Sequence, residues 1–216
     1  MKIARMIAPI HSLGPGERVG LWVQGCSKKC FGCISEELQL VDAAKEVPVD
    51  VIATMIINEA SRTNCTRLTI SGGDPLEQPE ELFVFLKQVR RYFTDILVYT
   101  GYTMEEIRES EVMTSCLCNI DVLVDGRYIE SKNVEATNLR GSSNQKIFFL
   151  TQGLVSEYAE YEKMNYSKVV DGTCKTLLGV GGNNDECRGI LRRTIEDHID
   201  YWYRVQKDGG QTKLDM

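Results

Sequence analysis

The chain has 216 residues, is 43% hydrophobic and 26% charged, and carries a net charge of −6 with a pI near 5.1. That is enough apolar material for one domain, or one domain with an appendage, without a disulfide scaffold. The acidic balance, with basic residues gathered no further than adjacent pairs such as Lys28-Lys29, argues against a nucleic-acid backbone as main partner. No apolar run reaches the ~18 residues of a membrane span and no signal-peptide pattern opens the chain, so a cytoplasmic location is expected.

In chain order, Gly14-Pro15-Gly16 reads as a turn and 18–24 as a strand that runs into a cysteine loop. Residues 49–61 carry helical spacing, with Val51, Ile52, Met55, Ile56 and Ala60 on one face. A short apolar strand over 67–70 leads into Ser71-Gly72-Gly73-Asp74-Pro75, and a helix over 79–92 starts with Pro79 in its first turn. A strand over 95–99 ends at Thr100-Gly101-Tyr102, Thr103 to Glu106 reads as a capping box opening a third helix, and a strand over 120–124 ends at Asp125-Gly126. Farther on, 155–164 reads as a helix, 166–178 as a hairpin and 186–203 as a helix, with a polar tail over 207–216 that frays.

Strands that are continuous apolar runs, alternating with helices, predict a parallel sheet, covered on both faces or curled toward a barrel. Right-handed crossovers put every strand's C-terminal end at the same edge. The cysteine loop, the Gly-Gly-Asp turn, the Thr-Gly-Tyr turn and the Asp-Gly turn therefore converge on one rim, where active sites of such folds form.

Cys26, Cys30 and Cys33 form a C-x3-C-x2-C loop. Three thiolates on so short a loop suit one corner of an iron–sulfur cube, which takes four ligands, so the missing fourth leaves one iron open to a substrate or cofactor. The competing readings are a zinc site, which wants four ligands and finds no second pair at the usual spacing, and ordinary buried thiols. The chain has only two histidines, His11 and His198. Of the other cysteines, Cys65, Cys116 and Cys118 read as small core residues in or near helices, and Cys174 and Cys187 as unmodified thiols.

The loop at the end of a first strand resembles the signature of the radical S-adenosylmethionine (SAM) superfamily, and SGGDPL (71–76) resembles its SAM-binding segment. The position before the third cysteine, often aromatic in that superfamily, is Gly32, with Phe31 one place earlier. GPG-x-R (14–18), the cysteine loop, SGGDPL, YTGY (99–102), DVLVDGRYIE (121–130) and RGSSNQ (140–145) follow one another in an order that resembles the activases of anaerobic (class III) ribonucleotide reductases. The resemblance covers roughly residues 5 to 150.

It implies an α/β fold, a partial (βα) barrel of parallel strands of the radical SAM type, as a core domain over 1–152, with a small C-terminal extension over 153–216. It implies a [4Fe–4S] cluster on Cys26, Cys30 and Cys33, with SAM as second cofactor. Gly72, Gly73 and Asp74 then hold SAM, the glycines by close backbone approach and Asp74 as acceptor for its ammonium group. Tyr102, Asp125 and the Arg140 to Gln145 stretch lie where SAM or substrate touch. The implied reaction is reductive cleavage of SAM to a 5′-deoxyadenosyl radical, with no catalytic residue beyond the cluster and SAM. The implied partners are a large glycyl-radical reductase and a reducing donor such as flavodoxin or ferredoxin, with no nucleic acid and no membrane. Two other readings stay open: radical chemistry on another peptide or a small molecule such as a nucleobase precursor, and a non-catalytic iron–sulfur module.

Overall fold

A computed structural model describes residues 1–42, 46–134 and 138–163. Six strands form one sheet in chain order: β1 (Ile3–Ile10), β2 (Arg18–Val23), β3 (Arg67–Gly72), β4 (Asp95–Tyr99), β5 (Val122–Asp125) and β6 (Lys146–Phe149). The helices are α1 (Val49–Thr63), α2 (Pro79–Val89), α3 (Met104–Arg108), α4 (Glu111–Leu117) and α5 (Val155–Lys163).

The four central strands pair in parallel, while β1 on β2 and β6 on β5 run antiparallel. The expectation of a parallel sheet is corrected to a mixed one, open at both edges. The reason is connection length at the first edge. A parallel return needs a crossover of a dozen or more residues, whereas only the segment 11–17 joins β1 to β2. Among its described residues the 126–145 connection has a single helical turn, the 3₁₀ turn at Glu130–Lys132, and it also returns antiparallel.

From β2 to β5 each strand lies beside its chain neighbour, so the crossovers stack their helices on one face. There Ile52 and Ile56 of α1, Leu82, Phe85 and Leu86 of α2 and Cys116 of α4 pack in one core with Val19, Leu21, Leu68, Ile70, Ile96, Val98 and Leu123. At about 25 cal/mol per Å² of apolar surface, each such side chain contributes roughly 1.5–3 kcal/mol when fully buried.

Local signals set the helix ends. Pro79 stands in the first turn of α2, and the Thr103–Glu106 capping box is formed in both directions. Asn64 ends α1 in the left-handed conformation with φ 56°. The helix expected over 79–92 stops at Val89 and tightens into a 3₁₀ turn at Arg90–Tyr92. The helix opened by Thr103 breaks at Ser110, which caps α4. Cys65 and Cys116 are buried, but Cys118 is exposed, which corrects its reading as a core residue. No helix among the described residues is long and apolar enough to cross a membrane.

The opposite face carries Leu97, Val122 and Val124, which pack with Tyr158 and Tyr161 of α5. Beside them, at the strands' N-terminal ends, Arg18 is fully buried. It donates to Asp95 Oδ2 at 2.7 Å, Thr69 Oγ1 at 2.6 Å and the carbonyls of Pro15 and Leu68 at 3.0 and 2.8 Å. Tyr158 donates its hydroxyl to the same Asp95 carboxylate at 2.8 Å. A buried charge is tolerated when paired and hydrogen-bonded in this way. The expected hairpin over 166–178 and helix over 186–203, with Cys174 and Cys187, lie outside the described residues.

Candidate metal centre

The cysteine loop leaves β2 through Gly25, whose φ of +93° turns the chain. The amides of Gly25 and Cys26 donate to the carbonyls of Leu38 and Gln39 at 2.9 and 3.1 Å, so the segment after the loop closes its base. Cys33 N donates to Cys30 O at 3.3 Å, and Gly32 in this turn has φ +73°. A positive φ at the third turn position favours glycine, which accounts for Gly32 where the superfamily often has an aromatic residue. A side chain there also meets Glu130 Oε1 at 3.1 Å and the Tyr128 ring at 3.3 Å.

Cys26, Cys30 and Cys33 are all free thiols of intermediate exposure. Burial pushes the Cys26 thiol up, opposed by the nearby backbone amides of Lys28 and Lys29. Among the described residues no three Cys, His, Asp or Glu side chains gather closely enough to hold one metal ion. A cube asks for thiolates that stand apart, because each binds a different iron.

The Gly72–Asp74 segment lies against the loop's base, backbone to backbone. Gly73 N donates to Val23 O at 2.9 Å and Asp74 N to Gly25 O at 2.7 Å. A Cβ on Gly72 meets Val23 N and O at 2.4 Å, and one on Gly73 meets Gly25 O at 2.3 Å. The crossing of two chain segments by itself requires glycine at both positions.

Asp74 is fully buried. Its Oδ1 accepts from Leu76 N at 3.0 Å and Thr100 Oγ1 at 2.8 Å, and its Oδ2 from Gly101 N at 2.8 Å. Burial pushes its carboxyl up to about 6, against the pull of those hydrogen bonds. The carboxylate thus fastens the end of β3 to the turn after β4.

Tyr102 donates its hydroxyl to Glu77 Oε1 at 3.2 Å. The same oxygen accepts from Ser27 N at 3.0 Å and from the Ser27 hydroxyl. Burial works to raise the Glu77 carboxyl, but the Ser27 and Tyr102 donors and the Lys28 charge outweigh it and hold it below the usual range. Burial and the neighbouring Glu77 push the Tyr102 hydroxyl up to about 12.

Asp125 is buried and accepts from Met104 N at 2.8 Å and Lys146 N at 3.1 Å, tying β5 to the starts of α3 and β6. In the 140–145 stretch, Gln145 donates to Gly126 O at 2.9 Å and Asn144 to Arg127 O at 2.8 Å. Arg140 pairs with Glu162 of α5 at 2.6 Å.

The structure therefore brings the cysteine loop together with Gly72, Gly73, Asp74, Tyr102 and Asp125 at one edge of the sheet, linked by Asp74–Gly101 and by Gly126 N to Tyr102 O at 3.0 Å. Sequence reading missed Ser27, Lys28 and Glu77. Only the position of Ser27 and Lys28 between two cysteines hinted at them.

The sheet and the three-cysteine loop define an iron–sulfur protein. Residues 12–148 match the family model of the 4Fe-4S single cluster domain. The anaerobic ribonucleoside-triphosphate reductase-activating protein of Haemophilus influenzae is 37% identical over 140 residues, which is 62% of this chain and 88% of that protein. The Escherichia coli K12 protein of the same name is 34% identical over 144 residues, 63% of this chain and 91% of its own length. That of Enterobacteria phage T4 is 33% identical over 146 residues, 65% and 89%. The chain belongs to the family of anaerobic ribonucleoside-triphosphate reductase-activating proteins.

Proposed function

We propose that this chain is a radical SAM enzyme that generates a glycyl radical on an anaerobic ribonucleotide reductase, with a core domain over 1–152 and a C-terminal extension over 153–216. The carrying observation is the cysteine loop, with three free thiols on one turn seated by backbone contact on the Gly72–Asp74 segment. Cys26, Cys30 and Cys33 hold the [4Fe–4S] cluster. When bound, the cluster and SAM supply one-electron cleavage to a 5′-deoxyadenosyl radical, which takes a hydrogen atom from a glycine of the partner.

The protein's part is to position these groups and exclude water. Gly72 and Gly73 offer backbone at the rim that no side chain obstructs. Asp74 fixes the spacing between that backbone and the Thr100–Tyr102 turn, and Asp125 fixes the next turn along. The run of sequential parallel strands with helices on one face supports a partial barrel. Its unjoined edges leave a side by which a polypeptide reaches the rim, and a flavodoxin- or ferredoxin-like donor delivers the electron.

The test is anaerobic reconstitution with iron and sulfide, reduction, addition of SAM, and chromatography for 5′-deoxyadenosine. The expected result is product from the wild type and none from Cys30→Ala. Electron paramagnetic resonance with an added anaerobic reductase then shows a glycyl radical. A verified cluster with bound SAM that yields no 5′-deoxyadenosine refutes the reading, and product without a glycyl radical moves the substrate elsewhere.

A further inference from the structure

Between the first two cysteines stand two lysines in different surroundings. Lys29 is exposed, whereas the Lys28 side chain is only 5% exposed. Its stem lies against Gly101, where a Cβ meets Lys28 Cγ at 2.9 Å. Its ammonium sits 3.2 Å from the centroid of the Tyr102 ring. The nearest carboxylate oxygen is Glu106 Oε1 at 3.8 Å, and no hydrogen bond among the described residues uses the ammonium. Glu77, already engaged by Ser27 and Tyr102, also feels its charge.

Taking an ammonium out of water is costly unless something compensates. A ring face and one carboxylate at 3.8 Å, itself 41% exposed, compensate only in part. The chain thus holds a mostly buried positive charge inside the loop that carries its three cysteines. Such a charge is weakly screened, because solvent does not surround it. A cluster on three thiolates is anionic, and its negative charge grows by one electron on reduction. A fixed cation on the same loop favours the reduced form, since net charge around a cluster is one of the terms that set its potential.

Resting on the cluster reading of Cys26, Cys30 and Cys33, we infer that Lys28 is an electrostatic tuning residue that raises the reduction potential of the cluster. The step it assists moves one electron from a low-potential donor to the cluster, with no bond made or broken and no proton transferred. Tyr102 and Glu106 are the groups that hold the ammonium in place. Glu106 offsets part of its charge.

The test is a dithionite redox titration of the reconstituted full-length protein, followed by electron paramagnetic resonance. Lys28→Met keeps the length of the stem and removes the charge. It is expected to lower the reduced-to-oxidised ratio about tenfold at the wild-type midpoint, a shift of about 59 mV to lower potential for one electron. Lys28→Arg is expected to titrate close to the wild type. Glu106→Gln, which keeps a residue type suited to the capping box, is expected to shift the midpoint upward. Iron and sulfide content separates tuning from loop stability. A Lys28→Met protein with the wild-type midpoint in its loaded fraction overturns the inference, whether or not it loads less iron. A wild-type protein that takes up no cluster overturns the reading beneath it, and the inference with it.

Discussion

Substituting Gly73 by alanine puts one methyl group at the crossing on which the cysteine loop rests. The new Cβ lies 2.3 Å from Gly25 O and 2.8 Å from Leu38 O, and both are backbone atoms. Ordinary contact begins near 3.4 Å, so two chain segments must separate by about 1 Å. The Asp74 N to Gly25 O hydrogen bond of 2.7 Å spans this gap and is lost. Overpacking costs about 1–3 kcal/mol and the hydrogen bond about 0.5–1.5 kcal/mol, so the variant is less stable by roughly 2–4 kcal/mol. For a chain of this size that lowers the thermal midpoint by about 5–15 °C. Gly25 also precedes Cys26, the first of the three proposed cluster ligands, so iron and sulfide uptake is expected to fall with stability. Gly126→Ala is the matched control. Its Cβ meets nothing closer than 3.8 Å, and the cost is the strain of φ +93° alone, about 1–2 kcal/mol. Anaerobic thermal unfolding and iron content read both variants. A Gly73→Ala protein that melts like the wild type and loads a full cluster refutes the argument that this backbone is wedged under the loop.

Tyr158→Phe removes the hydroxyl that meets Asp95 and costs about 1–3 kcal/mol by denaturant unfolding, with cluster uptake retained. Asp95→Asn leaves the Arg18 charge without its buried partner and costs about 3–5 kcal/mol, more than Tyr158→Phe in the same assay. Asp74 has a folded-state pKa raised to about 6 from 3.8, so the folded protein binds its proton more tightly than the unfolded chain does. Its contribution to stability therefore decreases as pH rises between about 4 and 6, reaching a penalty of about 3 kcal/mol at neutral pH. Unfolding of the cluster-free protein across that window, compared with Asp74→Ala, is expected to show this slope in the wild type and its absence in the variant. An equal slope in both removes Asp74 as its source.

The part of the site that was legible in the sequence is the part where chemistry demands rare residue types at fixed spacing. Three cysteines within eight positions and a Gly-Gly-Asp turn after the next strand were both visible, and the structure sets them side by side. The central strands were legible because both faces are covered and the residues read as apolar runs. β1 and β6 were not, because edge strands carry mixed burial, and β1 includes Arg5 and Pro9. The packing contacts of Gly73 and Asp74 were not legible for one physical reason. Sequence shows that a residue permits close approach or accepts a proton, but not what approaches it, and here the neighbours are Gly25 and Gly101. Lys28 was legible only as a charge. Its burial depends on where the Thr100–Tyr102 turn falls, some seventy residues away.

The buried Arg18–Asp95–Tyr158 group has a mechanical consequence. Asp95 opens β4, and Tyr99 closes it one residue before Thr100, whose hydroxyl and following amide grip Asp74. At about 3.3 Å per residue, β4 is a strut some 17 Å long. One end is bolted to α5 and the other to the seat of the cysteine loop.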